Sequence, residues 1–250
     1  MRIVSWNLNG LISCLKHDSF DAIAALKPDM ICLQEIRTQQ EPVILSGYDC
    51  TWNHGNRDGY AGTAALYRCK PARIMKGLGA DDGDDEGRSI TLEYDAFFLI
   101  NAYVPNSQKN LQRHAYRLEW DQMLLDYVEE LRNQKPVIIG GDFNVAREDI
   151  DIYAENMRQY WASQGYASDE RSDLETLLES GLMDAFRTLY PDKRSYTWWS
   201  NRLNKRQEDR GWRLDYFLVD ECIFDKVEQI IHHTEITGSD HCPIELVIRL

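Results

Sequence analysis

No CxxC pair occurs among the six cysteines of this 250-residue chain, which stand at positions 14, 32, 50, 69, 222 and 242, several of them inside apolar runs. That pattern argues against a zinc site or a disulfide framework and for reduced, mostly buried thiols. Positive charge is also scarce: 28 Lys and Arg face 41 Asp and Glu, a formal net charge of −13. An average field of that sign repels phosphate, which excludes a generally basic nucleic-acid binder but leaves room for a local basic strip. No apolar stretch approaches membrane-spanning length, and the sequence starts in an apolar alternation without a charged leader. The expectation is an unexported, cytoplasmic protein. Linkers, repeats and low-complexity segments are lacking as well, so the 43% hydrophobic content predicts a single domain over residues 1–250 with a substantial core.

What is present is an alternation of strand and helix patterns. Strands are predicted at residues 2–7, 30–34, 63–67, 89–94, 97–103, 137–139, 214–219, 227–232 and 244–250, the pair around Asp95-Ala96 forming a hairpin. Helices are predicted at residues 18–26, at about 114–133 and at 174–180; the second carries Leu118, Leu124, Leu125, Val128 and Leu131 near one stripe, with Pro136 starting the next strand. The one strong charge run, residues 81–86, reads as a solvated acidic loop without the spacing of a calcium site.

Several strands end in carboxamides and carboxylates: Asn7 and Asn9 after the first, Glu35 after the second, Tyr103 and Asn106 later, then Gly140-Gly141-Asp142-Phe143-Asn144. In α/β sheets ligands bind outside the carboxyl ends of strands, so these groups are expected to converge on one cleft. The i, i+2 spacing of Asn7/Asn9 and Asp142/Asn144 would put each pair on one face of an extended chain, although each also reads as a turn bonding its own backbone. The two glycines before Asp142 allow positive φ or close approach of another backbone. Asp215 interrupts an apolar strand, where a carboxylate is costly unless paired. Its candidate partners are Arg213, backbone donors and His241, which follows Asp240 on a turn near the end of the sequence. An Asp holding one ring nitrogen of His241 would present the other to a substrate.

Oxygen donors without thiolates suit magnesium or manganese rather than zinc. The implied chemistry is metal-assisted phosphoester hydrolysis, with Glu35 and either Asn7 or Asp240 holding the ion and Asp142 and His241 as contenders for the base. Asn144 would donate to the phosphate or nucleophile, and Tyr103 would hold a phosphate oxygen or a leaving oxyanion. The stretch from Tyr196 to Arg213 carries five basic residues and three tryptophans, a composition suited to phosphate contacts and stacking on nucleic acid. Of the adjacent Trp198 and Trp199, at least one is expected in the core. A second basic island comprises Lys109, Arg113, His114 and Arg117.

Taken together, Ser5-Trp6-Asn7-Leu8-Asn9-Gly10, Leu33-Gln34-Glu35, Gly59-Tyr60-Ala61-Gly62, Ala102-Tyr103-Val104-Pro105-Asn106, Gly141-Asp142-Phe143-Asn144, Gly211-Trp212-Arg213-Leu214-Asp215-Tyr216-Phe217 and Gly238-Ser239-Asp240-His241-Cys242-Pro243 span the chain. In that order they resemble the exonuclease III family of apurinic/apyrimidinic endonucleases, within the endonuclease/exonuclease/phosphatase superfamily. The resemblance implies a four-layered α/β sandwich of two packed mixed β-sheets flanked by helices. It implies a magnesium-dependent cut, with manganese as a possible substitute, on the 5′ side of abasic sites in duplex DNA, together with 3′-5′ exonuclease and 3′-phosphatase activities in some members. Asn7, Glu35, Asp142, Asn144, Asp240 and His241 would then line the metal and phosphate site, supported by Tyr103 and Asp215. Trp198, Trp212 and Leu214 would form the sugar pocket; Asn106, Arg113 and Arg117 would contact DNA, and Arg202 and Leu203 would take the helix-wedging positions. The expected enzyme is a monomer. Residues 148–171 lack the Pro/Asn-rich pattern of close family members. Two other readings are a superfamily phosphoesterase acting on a small phosphate ester and a non-catalytic nucleic-acid-binding regulator.

Overall fold

A computed structural model describes residues 1–17, 19–79, 84–154, 163–201 and 205–250. Its strands are β1 (Arg2–Asn7), β2 (Met30–Gln34), β3 (Asp49–Asn53), β4 (Thr63–Tyr67), β5 (Arg73–Lys76), β6 (Ser89–Glu93), β7 (Phe98–Tyr103), β8 (Val137–Asp142), β9 (Leu182–Asp184), β10 (Asp215–Asp220), β11 (Val227–His232) and β12 (Ile244–Ile248). The helices are α1 (Leu11–Cys14), α2 (Ser19–Ala25), α3 (His114–Arg132), α4 (Ser168–Glu179) and α5 (Ala185–Leu189). They form two six-stranded sheets, ordered β11-β12-β1-β2-β4-β3 and β5-β6-β7-β8-β10-β9.

Strand alternation builds the layers. Ile3, Met30, Cys32 and Leu246 from the first sheet meet Leu92, Leu99, Ile138, Phe217 and Val219 from the second in a central core. The opposite faces are apolar too: Val4, Trp6, Ile31 and Leu33 pack under Leu11 of α1 and Phe20 and Ile23 of α2. Phe98, Ile100, Ile139 and Leu218 pack under α3 and α4. With both faces of both sheets covered, the strands read as continuous apolar runs rather than strict alternations. The result is the predicted four-layered sandwich. In α3 the buried stripe is Trp120, Leu124, Tyr127, Val128 and Leu131, rotated from the expected one because Trp120 and Tyr127 bring larger apolar surfaces, each fully buried large side chain contributing about 2 kcal/mol. No helix among the described residues is long and apolar enough to cross a membrane.

Two parallel pairs set the position of the cleft. β1 runs beside β2 with Asn7 opposite Gln34, and β7 beside β8 with Tyr103 opposite Asp142. Strand β10 is antiparallel to β8, so its first residue, Asp215, lies opposite Asp142. The antiparallel β12 begins next to the end of β1, with Ile244 opposite Ser5. Six strands therefore bring their chemistry to one end of the sandwich. Gly140 and Gly141 lie inside β8, not in a turn, and neither takes a positive φ. A Cβ on Gly141 would sit 1.9 Å from the Ala102 carbonyl oxygen, and one on Gly140 2.5 Å from the Phe217 ring. Close approach of the neighbouring strands is thus the reason for both.

The first sheet carries a pH-sensitive fastening close to this end. His233 is buried between Glu245, at 2.8 Å, and Glu235, at 3.1 Å. Burial works to depress its pKa, but the two carboxylates prevail and raise it above the ordinary histidine value. A histidine with a raised folded-state pKa contributes stability that is fully present below its unfolded value and is lost as pH rises through the folded one. Thermal melts from pH 6 to 9 are expected to show a decline to which His233 contributes roughly 2–4 °C, the part that His233→Gln removes. An identical decline in the variant would refute the assignment.

Candidate active site

The two sheets are stitched together at their carboxyl ends by one amide. Asn7 Nδ2 donates to Glu35 Oε1 at 3.0 Å and to Asp142 Oδ2 at 2.8 Å, so a residue from β1 joins the end of β2 to the end of β8. Asn7 and Asp142 are buried, as polar groups that satisfy one another can be. The expected extended forks do not form. Asn9 and Asn144 take left-handed φ values of 47° and 50°, and their backbone amides donate to Asn7 Oδ1 and Asp142 Oδ1 at 2.9 and 2.8 Å. Each pair is an Asx turn, a conformation that Asn tolerates well. The turns bring Asn9 and Asn144 to the lining of the cleft, with Asn7 and Asp142 buried behind them: Asn9 Nδ2 donates to Asp240 Oδ1 at 2.9 Å, and Asn144 Nδ2 donates to the Val104 carbonyl at 2.9 Å.

His241 closes the opposite side. Its Nδ1 lies 2.8 Å from Asp215 Oδ2 and its Nε2 3.9 Å from Asp142 Oδ2. Arg213, the other candidate partner of Asp215, is turned away and fully buried, pairing with Asp151 and Asp184. Register between Asp215 and His241 comes from a residue the sequence did not single out. Thr197 Oγ1 accepts the amides of Leu214 and Asp215, while its carbonyl accepts the amide of Cys242. Trp198 and Trp199 separate as alternation requires: Trp199 is buried with Tyr196 and Cys242, whereas Trp198 faces the cleft and donates its indole N–H to Asp240 Oδ2 at 3.2 Å.

These groups line a cleft of about 730 Å³. Asn9, Glu35, Asp240 and His241 form one side, with Trp198, Trp212 and Leu214 as an apolar wall. Asn106, Lys109, Asn110, Ser163, Gln164 and Gly165 complete the lining. The Trp198 and Trp212 rings meet edge to face at 6.2 Å, which fixes the angle of the wall. Tyr103 lines an adjoining recess with Glu35, Asn106 and Asn144. Its ring lies 4.5 Å from the buried Arg88 guanidinium, and Arg88 also donates to the Tyr103 carbonyl at 3.0 Å.

Electrostatics divide the roles. Burial pushes the Asp142 carboxyl up to about 7, with Asp215 adding to the rise and His241 opposing it. Burial acts to depress His241, but the Asp215 and Asp142 carboxylates outweigh it and raise the imidazole to about 10. His241 is therefore a cation at neutral pH. Burial raises the Tyr103 phenol well above its ordinary value, and Glu35 reinforces this, so the hydroxyl stays protonated. The donor atoms of Asp142, Asp215 and His241 lie within 4.8 Å of one another. Asp215 Oδ1 is buried with no hydrogen-bond partner among the described residues. Carboxylate and amide oxygens from Asn7, Glu35, Asp142 and Asp240, with no thiolate, fit a hard divalent cation.

Some expected DNA contacts are not available. Arg117 is buried, its Nε bonded to Asp121 and its Nη1 to the Pro105 carbonyl at 3.0 Å, so it braces the Tyr103–Asn106 loop from below and cannot reach a phosphate. Arg113 is partly exposed and engaged by Tyr60 and Glu86 beside a neighbouring recess, outside the main cleft. In the basic stretch, Arg213 is internal, and Arg206 is spent on the carbonyls of Thr234, Ile236 and Ser239, where it holds the loop before Asp240. Arg210 pairs with Glu208. Arg202 and Leu203 lie outside the described residues. Among the described residues, the Lys and Arg side chains that line the cleft are Lys109, from the second basic island, and Arg37, which pairs with Glu35. Arg37 was not anticipated, because an Arg three residues beyond a strand end looks like ordinary surface.

A metal-capable cluster of acids and one imidazole at the mouth of a four-layered sandwich is the arrangement of a phosphoesterase. The family model described as Endonuclease/Exonuclease/phosphatase family matches residues 4–241, and the chain belongs to that family. It is 40% identical over 256 residues to an exodeoxyribonuclease of Bacillus subtilis, the match covering all of both chains. Among solved structures it is similar to an AP endonuclease of Leishmania major, with a TM-score of 0.92 and 29% identity over all of this chain and 87% of the other. A 3′ phosphatase from Neisseria bound to a product DNA hairpin gives a TM-score of 0.89 at 26% identity, with both chains fully covered.

Proposed function

We propose that this chain is a magnesium-dependent DNA-repair nuclease that hydrolyses the phosphodiester on the 5′ side of abasic sites in duplex DNA. The observation that carries the reading is the His241 ring held by Asp215 at 2.8 Å and facing Asp142, at the edge of a cleft walled by Trp198, Trp212 and Leu214. A metal-dependent phosphodiesterase needs a proton acceptor for water, donors for the phosphate and an anchor for the ion. Asp142, with its pKa pushed up to about 7, is matched to accepting a proton from water near neutral pH. The cationic His241 is the complementary group: with Nδ1 committed to Asp215, its Nε2–H donates to a phosphate oxygen. Asn144, pinned against Asp142, orients the nucleophile, and the protonated Tyr103 donates to a second phosphate oxygen.

Glu35, with Asn7 or Asp240, would hold the ion, which when bound supplies Lewis-acid stabilisation of charge on the phosphate and the leaving oxygen. Magnesium suits these oxygen donors, and manganese is the expected substitute. The apolar wall accounts for the choice of lesion. It receives a sugar swung out of the helix, which costs least where no base has to be unstacked. Duplex DNA is the partner, bound by a monomer.

The test is cleavage of an end-labelled duplex carrying one tetrahydrofuran abasic analogue, beside an undamaged duplex and one with a 3′-phosphate end. A single magnesium-dependent cut on the 5′ side of the analogue, abolished by EDTA, is the expected result. No cut there, or cutting that EDTA leaves unchanged, overturns the proposal. Release of 3′-phosphate without internal cleavage would reassign the protein to end processing.

A further inference from the structure

Two stretches that line the cleft, one around Asn106 and one around Gly165, are tied to each other by one buried side chain. Glu170 lies in the first turn of α4 and is 0% exposed. Its Oε2 accepts the amide of Ala167 at 3.3 Å, an ordinary way for a glutamate in this position to satisfy the start of its own helix. Its other contacts lie outside the helix. Oε2 also accepts the Gly165 amide at 2.7 Å, and Oε1 accepts the hydroxyl of Ser107, 63 residues away in sequence. A buried carboxylate is costly, and three donors directed at it are what make it tolerable.

Each of these two bonds ends at the edge of the site. Ser107 follows Asn106, whose Nδ2 donates to Asn144 Oδ1 at 2.8 Å. Gly165 lines the cleft itself; its carbonyl accepts the Ala146 amide, and it packs so tightly that an added Cβ would stand 3.3 Å from both the Asn144 carbonyl and the Trp212 ring. Ser107 also meets His114, but it is itself fully buried and donates to Glu170, so it is no nucleophile. One arm of the Glu170 contact thus leads through Asn106 to the Asn144 side chain, and the other packs against the Asn144 backbone and Trp212.

We infer that Glu170 is a positioning residue that sets the separation between the Asn106 side and the Gly165 side of the cleft, and thereby how tightly an abasic strand is gripped. The inference rests on the proposed DNA cleavage. Glu170 touches neither Asp142, Asp215 nor His241, and the Asn144 amide keeps its own bonds to the Val104 carbonyl and to Asp142 without it, so its loss acts on substrate binding before it acts on chemistry. Misplacement of a site from a distance of one residue shell weakens binding by amounts of the order of tenfold to a hundredfold.

The experiment compares the whole protein with Glu170→Ala, Glu170→Gln and Ser107→Ala in steady-state cleavage of the abasic duplex, with circular dichroism to verify folding. The expected result is a KM raised about tenfold in Glu170→Ala with kcat within about threefold, and a smaller rise in Glu170→Gln, which keeps one acceptor oxygen. Ser107→Ala cuts one arm only and is expected to raise KM about threefold; it decides the matter where Glu170→Ala does not fold. An unchanged KM in the folded variants, or a fall in kcat as large as the rise in KM, overturns the inference. Failure of the wild-type protein to cut the duplex at all would instead overturn the proposed function, and the wild-type arm separates the two.

Discussion

Asp142→Asn is expected to lower kcat on an abasic duplex by about a thousandfold or more while leaving duplex binding within a few-fold. The amide has nearly the same shape as the carboxyl but cannot take a proton from water, and the substitution keeps the Asx-turn acceptor for the Asn144 amide. Asn7, which donates to both Glu35 and Asp142, remains fastened to Glu35. Single-turnover cleavage and gel-shift binding in EDTA, measured side by side, separate the two effects. An equal loss of binding and cleavage would show that Asp142 holds the cleft together and does not act on water.

The second large effect concerns the Asp215–His241 couple. Asp215→Asn is expected to cost about ten-thousandfold in kcat, because an amide partner no longer selects the ring orientation and protonation that put Nε2–H toward the phosphate. It also removes the main charge that raises the imidazole to about 10. His241→Ala should be at least as damaging. Since the two residues act through one hydrogen bond, their effects are not additive: the double variant should be no slower than His241→Ala alone. Multiplying losses in a complete cycle of the four proteins would mean that Asp215 acts apart from His241, and the proposed route for phosphate stabilisation would fail.

How much of this was readable beforehand depended on burial. Strands such as β2 and β4 have every residue buried, and their apolar runs reveal them at once. The missed strands β3 and β5 have mostly partly exposed residues, and β9 is only three residues long, so pairing with neighbours defines them more than their own pattern does. Glu35, Asp142, Asp215 and His241 were legible because each is a polar group next to an apolar strand, where it demands a reason. Arg117 was misread for the converse cause. On a helix with Asp121 one turn ahead it resembles a surface ion pair, and only the tertiary arrangement places the Pro105 carbonyl above it. Glu170 left no signal at all, since an acid in a first helical turn is commonplace.

The Asn7 amide that spans Glu35 and Asp142 has a consequence for when the protein becomes dangerous to DNA. Glu35 and Asp142 terminate strands of different sheets, and His241 enters through the pairing of β12 with β1. Neither half of the sandwich holds a working set by itself. With the roles proposed above, a chain whose sheets have not yet docked has no complete site, and cutting power would arise only together with the finished fold.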